Sequence, residues 1–228
     1  MLIEAPRRIV LYVRTAPPRA QTRREEAANA VTHGLGLAAS LIAGPMLIVK
    51  AMAVGDAVMV AACAAYALPL AAVFFCSTMS HAVAEAKRKV FWEGWDQAMI
   101  YLLIAGSFTP YAAAYLRSEP WPMLTALMWA LAAAGFCSKV FFHHRLRRAI
   151  VWLYVGLGCL PAISLPTLGP QLGSTCAGLT LAGALCYLFG TVFLMYDRAA
   201  PFLHVLWHLA VLLAAGLHFA AIYLFVVG

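Results

Sequence analysis

Charge is what this sequence has least of. Only 11% of its 228 residues are Asp, Glu, Lys or Arg, and 64% are hydrophobic, where soluble domains run near about 25% charged and about 45–50% apolar. A chain this poor in charge belongs in a bilayer and is read as an integral membrane protein. The six cysteines (Cys63, Cys76, Cys137, Cys159, Cys176 and Cys186) include no C-x-x-C pair and all fall in or near apolar runs. Neither a disulfide framework nor a thiolate zinc site is expected, and they read as small buried hydrophobes. No internal repeat and no polar stretch large enough for a soluble domain is present. Basic residues outnumber acidic ones, 16 to 9, yet they gather at the ends of apolar runs. That pattern sets topology and argues against nucleic acid as a partner, which needs a continuous basic face.

What is there is apolar sequence in lengths that cross a membrane, for which ~20 residues suffice. Seven such segments are expected, at 31–53, 57–83, 95–116, 120–142, 149–168, 171–195 and 201–226. The fold class is therefore all-α, a seven-helix transmembrane bundle filling residues 25–228. Residues 1–24 form a basic arm with Arg7, Arg8, Arg14, Arg19, Arg23 and Arg24. Its apolar stretch, Ile9 to Val13, is too short for the core of a signal peptide. Pro17-Pro18 breaks any continuous helix through it, so the arm is expected to be poorly ordered or to lie on the membrane surface. With the N-terminus inside, every Lys and Arg except Lys50 and Arg117 lies on the cytoplasmic side. The excess predicts a cytoplasmic N-terminus, an outside C-terminus and a multi-pass protein of the inner (plasma) membrane. Trp121 on the outer side, and Trp92 and Trp95 before the third span, are expected at the interfaces. Pro110, Pro161, Pro166 and Pro201 are expected to kink or begin helices.

The last span, from Pro201, carries His204, His208 and His218. Ionisable groups in hydrocarbon are costly and face a bundle interior or a functional site. His204 and His208 are four apart and share a helix face, the spacing that offers two imidazoles to one ion. His218 is about 15 Å further along the axis and cannot join them. The plain alternative is a pair of core or interfacial imidazoles.

The topology brings other polar residues to the same depth. Ser77 and His81 lie four apart at the inner end of the second span, and Asp96 is expected in the first turn of the third. His81 supplies a third imidazole and Asp96 an acidic neighbour. Taken singly, Asp96 can be an acid at a helix N-terminus, Ser77 a backbone-bonded serine and His81 an interfacial residue. Glu26, Asn29 and His33 form a stripe at the start of the first span, either a cover over the site or a solvated helix start. His143 and His144, in the basic loop F-F-H-H-R-L-R-R, read as a headgroup anchor.

From Glu25 onward the chain resembles the bacterial hemolysin III proteins of the progestin and adipoQ receptor (PAQR) superfamily, which includes the adiponectin receptors. The resemblance rests on E-E-A-A-N-A-V-T-H-G-L-G at 25–36, S-x-x-x-H at Ser77 and His81, D-Q-A-M-I-Y-L-L-I-A-G-S-F-T-P-Y at 96–111, and P-F-L-H-V-L-W-H with His218-Phe219. It implies a seven-helix bundle holding one zinc ion near the cytoplasmic face through His81, His204 and His208, with Ser77 and Asp96 beside it. It also implies links to membrane homeostasis, ceramide hydrolysis and a reported lytic activity. Three imidazoles leave zinc one open position, the pattern of catalytic sites. Asp96 is then the expected general base and Ser77 the donor to water or an oxyanion, acting on a lipid amide or ester. The alternatives are a structural zinc in a non-enzymatic regulator or sensor, and a pore-forming cytolysin. The pore finds no charged ring in the sequence. Membrane lipids are the expected partners.

Overall fold

The computed structural model describes residues 19–142 and 149–228. Among these residues there is no strand, and short connections join seven helices long and apolar enough to cross a membrane. We number them α1 (Arg23–Val54), α2 (Ala57–Ala82), α3 (Ala86–Tyr115), α4 (Trp121–Phe142), α5 (Ala149–Cys159), α6 (Ser174–Met195) and α7 (Leu203–Ala221). The fifth span continues beyond α5 through two 3-10 turns and a single α-helical turn to Gln171. Pro161 and Pro166 sit at the starts of two of these pieces, where a missing N–H costs least. Pro110, Pro45 and Pro69 lie inside α3, α1 and α2.

Hydropathy locates the spans but misplaces two helix starts. The first span, expected from residue 31, begins at Arg23 behind a capping box: Thr22 Oγ accepts from Glu25 N, and the Glu25 carboxylate accepts from Thr22 N. These satisfy orphan donors of the first turn and carry the helix through a polar stretch that an apolar window cannot see. The third span, expected from residue 95, begins at Ala86. Trp92 and Trp95 therefore lie within α3, edge-on to Phe75 and Phe136. Asp96 is in the third turn of α3, so an account from the N-terminal helix dipole does not apply to it.

α1 shows how the bundle is solvated. Its buried stripe is Glu25, Asn29, His33, Gly36, Ser40, Gly44, Leu47 and Ala51, a 3.6-residue repeat of mostly polar or small side chains. Its opposite face exposes Val31, Leu35, Ile42 and Val49. Apolar outside and polar inside is the order a lipid solvent imposes. Small residues allow close approach elsewhere: a methyl on Gly106 of α3 would lie 2.4 Å from the Ala65 carbonyl oxygen of α2. Of the cysteines, Cys63, Cys76 and Cys176 are buried, but Cys137 and Cys159 are exposed on the helix surface and Cys186 is half-buried.

The helices pack in sequence, α1 on α2, α2 on α3 and α3 on α4; α6 packs on α7, and α7 closes back on α1. α7 has no comparable packing on α2, so α1 stands between the two. Lys139 is buried at the end of α4, with Nζ 2.5 Å from Gln97 Oε1. The expected arm is described only from Arg19, and Arg7, Arg8, Arg14, His143 and His144 lie outside the described residues. Arg19 is not loose. Its guanidinium makes paired bonds of 2.7 and 2.6 Å to Glu25 and a third of 3.2 Å to the Ala200 carbonyl.

Candidate metal centre

His81 closes α2, while His204 and His208 occupy the first two turns of α7. The structure brings all three together. Their ring centroids are 4.7, 4.9 and 5.1 Å apart, and one possible ligand atom from each lies within 4.8 Å of the others. His208 is fully buried and the other two are half-buried. His218 is not part of this group.

Each ring is held by its Nδ1. His81 Nδ1 donates to Glu26 Oε2 at 2.8 Å, and Glu26 also receives Lys89. His204 Nδ1 donates to Asp197 Oδ2 at 3.2 Å. His208 Nδ1 faces the Asn29 carbonyl at 3.2 Å and Thr32 Oγ1 at 3.3 Å. An imidazole with Nδ1–H so engaged keeps its Nε2 lone pair free, and such outer partners fix tautomer and ring direction in metal sites. The donor set therefore fits a divalent ion that takes neutral nitrogen ligands.

α1 covers the group. Asn29 and His33 are 0% and 2% exposed, and the His33 ring stacks on His208 with centroids 3.6 Å apart at 13°. Of the two readings of the Glu26, Asn29 and His33 stripe, the structure has the cover. Several buried polar atoms here have no partner: Asn29 Oδ1, both His33 ring nitrogens and Ser77 Oγ. Ser77 is 0% exposed, one turn before His81. The Asp96 carboxylate faces the Ser77 hydroxyl without closing a hydrogen bond to it. Neither belongs to the three-residue group itself. Unpartnered buried groups around convergent imidazoles mark a place for an ion, water or a substrate's polar head.

Sequence reasoning missed Glu25 and Asp197. Glu25 is buried and accepts from the Phe202 N–H at 2.8 Å. Phe202 holds a left-handed φ of 61°, unusual for a bulky side chain, directly before the helix that carries the histidine pair. Glu25 and Arg19 thus pin the turn that aims α7. The Glu25 carboxylate in turn holds the Arg19 guanidinium above its ordinary pKa. T-x-x-E at 22–25 was the available signal for Glu25. For Asp197 there was none beyond an acid one loop before a histidine pair.

Comparison with known proteins matches residues 21–219 to the profile of the family described as Haemolysin-III related. Relatives include Hemolysin-3 of Bacillus cereus, 34% identical over 203 residues, which are 89% of this chain and 92% of that protein. The Hemolysin-3 homolog of Bacillus subtilis (strain 168) is 32% identical over 84% of this chain and 89% of its own length. The human Monocyte to macrophage differentiation factor is 32% identical over 69% of this chain and 67% of its own.

Proposed function

The chain belongs to the haemolysin-III-related family of multi-pass membrane proteins, and on that premise we propose that it is a zinc-dependent hydrolase of lipid amides or esters in the plasma membrane. The carrying observation is the three convergent imidazoles, each with its Nδ1 engaged and its Nε2 left for a ligand, with the buried Ser77 one turn before His81 and facing the Asp96 carboxylate. His81, His204 and His208 would hold the ion. Zinc in such a set supplies Lewis acidity toward water and toward an acyl carbonyl. Asp96 takes the proton of the attacking water, which requires hydrogen-bond reach and a carboxylate form. Ser77 donates its free O–H to the oxygen on which charge develops. His33 and Asn29 close the site from the α1 side and exclude bulk water. A lipid is the substrate class because the site lies within a bundle whose outer face is apolar and meets the membrane.

The test has two parts. Elemental analysis of purified protein should find zinc in the wild type and little in His208→Ala. Turnover over a panel of lipid amides and esters should then fall about 10²- to 10⁴-fold in Asp96→Asn, with zinc retained. Full activity in zinc-loaded Asp96→Asn removes the hydrolytic reading. One observation favours a second reading: α2 and α7 hardly pack on each other directly. An ion bound by His81, His204 and His208 would tie them, as a structural zinc in a non-enzymatic membrane regulator would. That reading predicts a fall in melting temperature on chelation and no effect of Asp96→Asn.

A further inference from the structure

A second set of polar side chains lies in the half of the bundle away from the three histidines. Ten residues beyond His208, about 15 Å along α7, the ring of His218 stacks on Tyr187 of α6 with centroids 5.7 Å apart at 26°. Gly183 of α6 makes the room: a methyl there would stand 2.6 Å from His218 Cδ2 and 2.9 Å from Nε2. Tyr187 neighbours Tyr66 of α2, which neighbours Tyr111 of α3. Tyr111 completes the set through a 2.8 Å hydrogen bond to Thr180 Oγ1 of α6.

Only part of this cluster is satisfied. Thr180 donates to the Cys176 carbonyl at 2.8 Å, so it accepts from Tyr111. Tyr66 Oη, in a residue 1% exposed, has no partner, and neither has His218 Nδ1. The Tyr187 hydroxyl makes no hydrogen bond among the described residues. A hydroxyl or imidazole nitrogen left bare away from water is costly; the Tyr66 hydroxyl from α2 and His218 Nδ1 from α7 are two such groups on either side of Tyr187, and they call for a guest. No charged side chain among the described residues neighbours Tyr66, Tyr187 or His218. An ionic guest would enter without a counter-charge, so the guest is neutral and both donates and accepts. α6 is the least enclosed span, with 11% of its window buried. His218 and Tyr187 are only partly covered, which leaves an approach from the lipid side.

We propose that Tyr66, Tyr187 and His218 form a second binding site, one that takes the neutral hydroxyl- or amide-bearing head of a single-chain lipid entering beside α6. The test uses the full chain in phosphatidylcholine nanodiscs and native mass spectrometry of retained lipid. Three probes share one acyl chain: 1-monooleoylglycerol, which donates and accepts; methyl oleate, which only accepts; and oleate, which is charged. Wild type should retain one monooleoylglycerol and at least tenfold less of the other two. Tyr66→Phe, which removes a single oxygen, and Tyr66→Phe/His218→Phe should each lose retention, the double variant at least tenfold. His208→Ala should retain it unchanged, so this site stands or falls apart from the metal reading. Equal retention of the three probes, or none, overturns the assignment. So does retention untouched in Tyr66→Phe, which leaves internal water as the partner, or a loss in His208→Ala, which moves the lipid to the histidine end.

Discussion

Around His81, His204 and His208 every Nδ1 has an acceptor, and the acceptors come from α1 and the α6–α7 turn. Around His218 the neighbours are tyrosines, and its Nδ1 has no acceptor at all. His208 and His218 are imidazoles on one helix, ten residues apart, so the difference lies in what packs against them. At the histidine end α1 contributes a polar stripe; in the other half α6 contributes glycine, threonine and tyrosine. An imidazole whose back is pinned has one nitrogen left and one direction to present it, as ion ligation requires. An imidazole with a bare nitrogen among neutral hydroxyls can meet only a partner that brings its own hydrogen bonds.

The sharpest way to break this contrast is His208→Ala. Bound metal should fall more than tenfold, measured by elemental analysis. Chelation should lower the melting temperature of the wild type and leave the variant's where it is, since a ligand at 100 times its Kd stabilises by about 2.7 kcal/mol. Substitution of His218 by Phe should leave metal content unchanged. Metal lost equally from both variants would erase the distinction between the two groups.

Next in size come the acceptors. Glu26→Gln and Asp197→Asn keep every ligand and weaken the pinning, so each should lower metal affinity about 10- to 100-fold, read by competition with a chromogenic chelator. Unaltered affinity in both would mean that the rings are aimed by packing alone.

How much of this was legible beforehand differs from helix to helix. His204 and His208 announced themselves by spacing, and His81 by depth once the charges had set the topology. The seven spans were plain because hydropathy is the signal lipid selects for. The start of α1 was not, because Thr22 and Glu25 extend the helix through hydrogen bonds, and the start of α3 lay hidden in a charged stretch. The role of α1 was half visible: Glu26, Asn29 and His33 form a stripe, but only the packing shows that it stands between α2 and α7 and supplies acceptors to His81 and His208. Glu25 showed only its capping-box spacing after Thr22, and Asp197 showed nothing, because each acts through a turn or a ring brought near by tertiary structure. The same holds for Tyr66 and Tyr187, apolar-span tyrosines whose significance appears only when their hydroxyls prove unpaired.

The two ends of α1 permit a smaller comparison. At the histidine end Thr22→Ala removes the capping hydroxyl and should cost about 1 kcal/mol, or about 2–4 °C in melting temperature for a chain of this size. Because Glu25 beside it also fixes Phe202, metal affinity should fall with stability. Stability lost with affinity intact would show the cap to be local to α1.

At the other end Gly55 turns with φ 79° and Asp56 caps α2 through Val58 N at 2.9 Å while pairing with Arg117. The Arg117 guanidinium holds the Asp56 carboxyl below its ordinary value of 3.8. A lowered folded-state pKa means that the pair's contribution is complete above the unfolded value and is lost as pH falls through the folded one. Asn caps a helix as well as Asp, so Asp56→Asn isolates the charge. The wild type should melt slightly higher than the variant at pH 7. The gap should begin to close as pH drops below 3.8, and it should shrink in high salt because exposed pairs are screened. At pH 7 metal affinity should be the same in the wild type and Asp56→Asn, since Asp56 sits at the end of the bundle opposite the histidines. A gap that persists at low pH would assign the effect to the cap instead of the ion pair. A change in metal affinity would show that the two ends of α1 communicate.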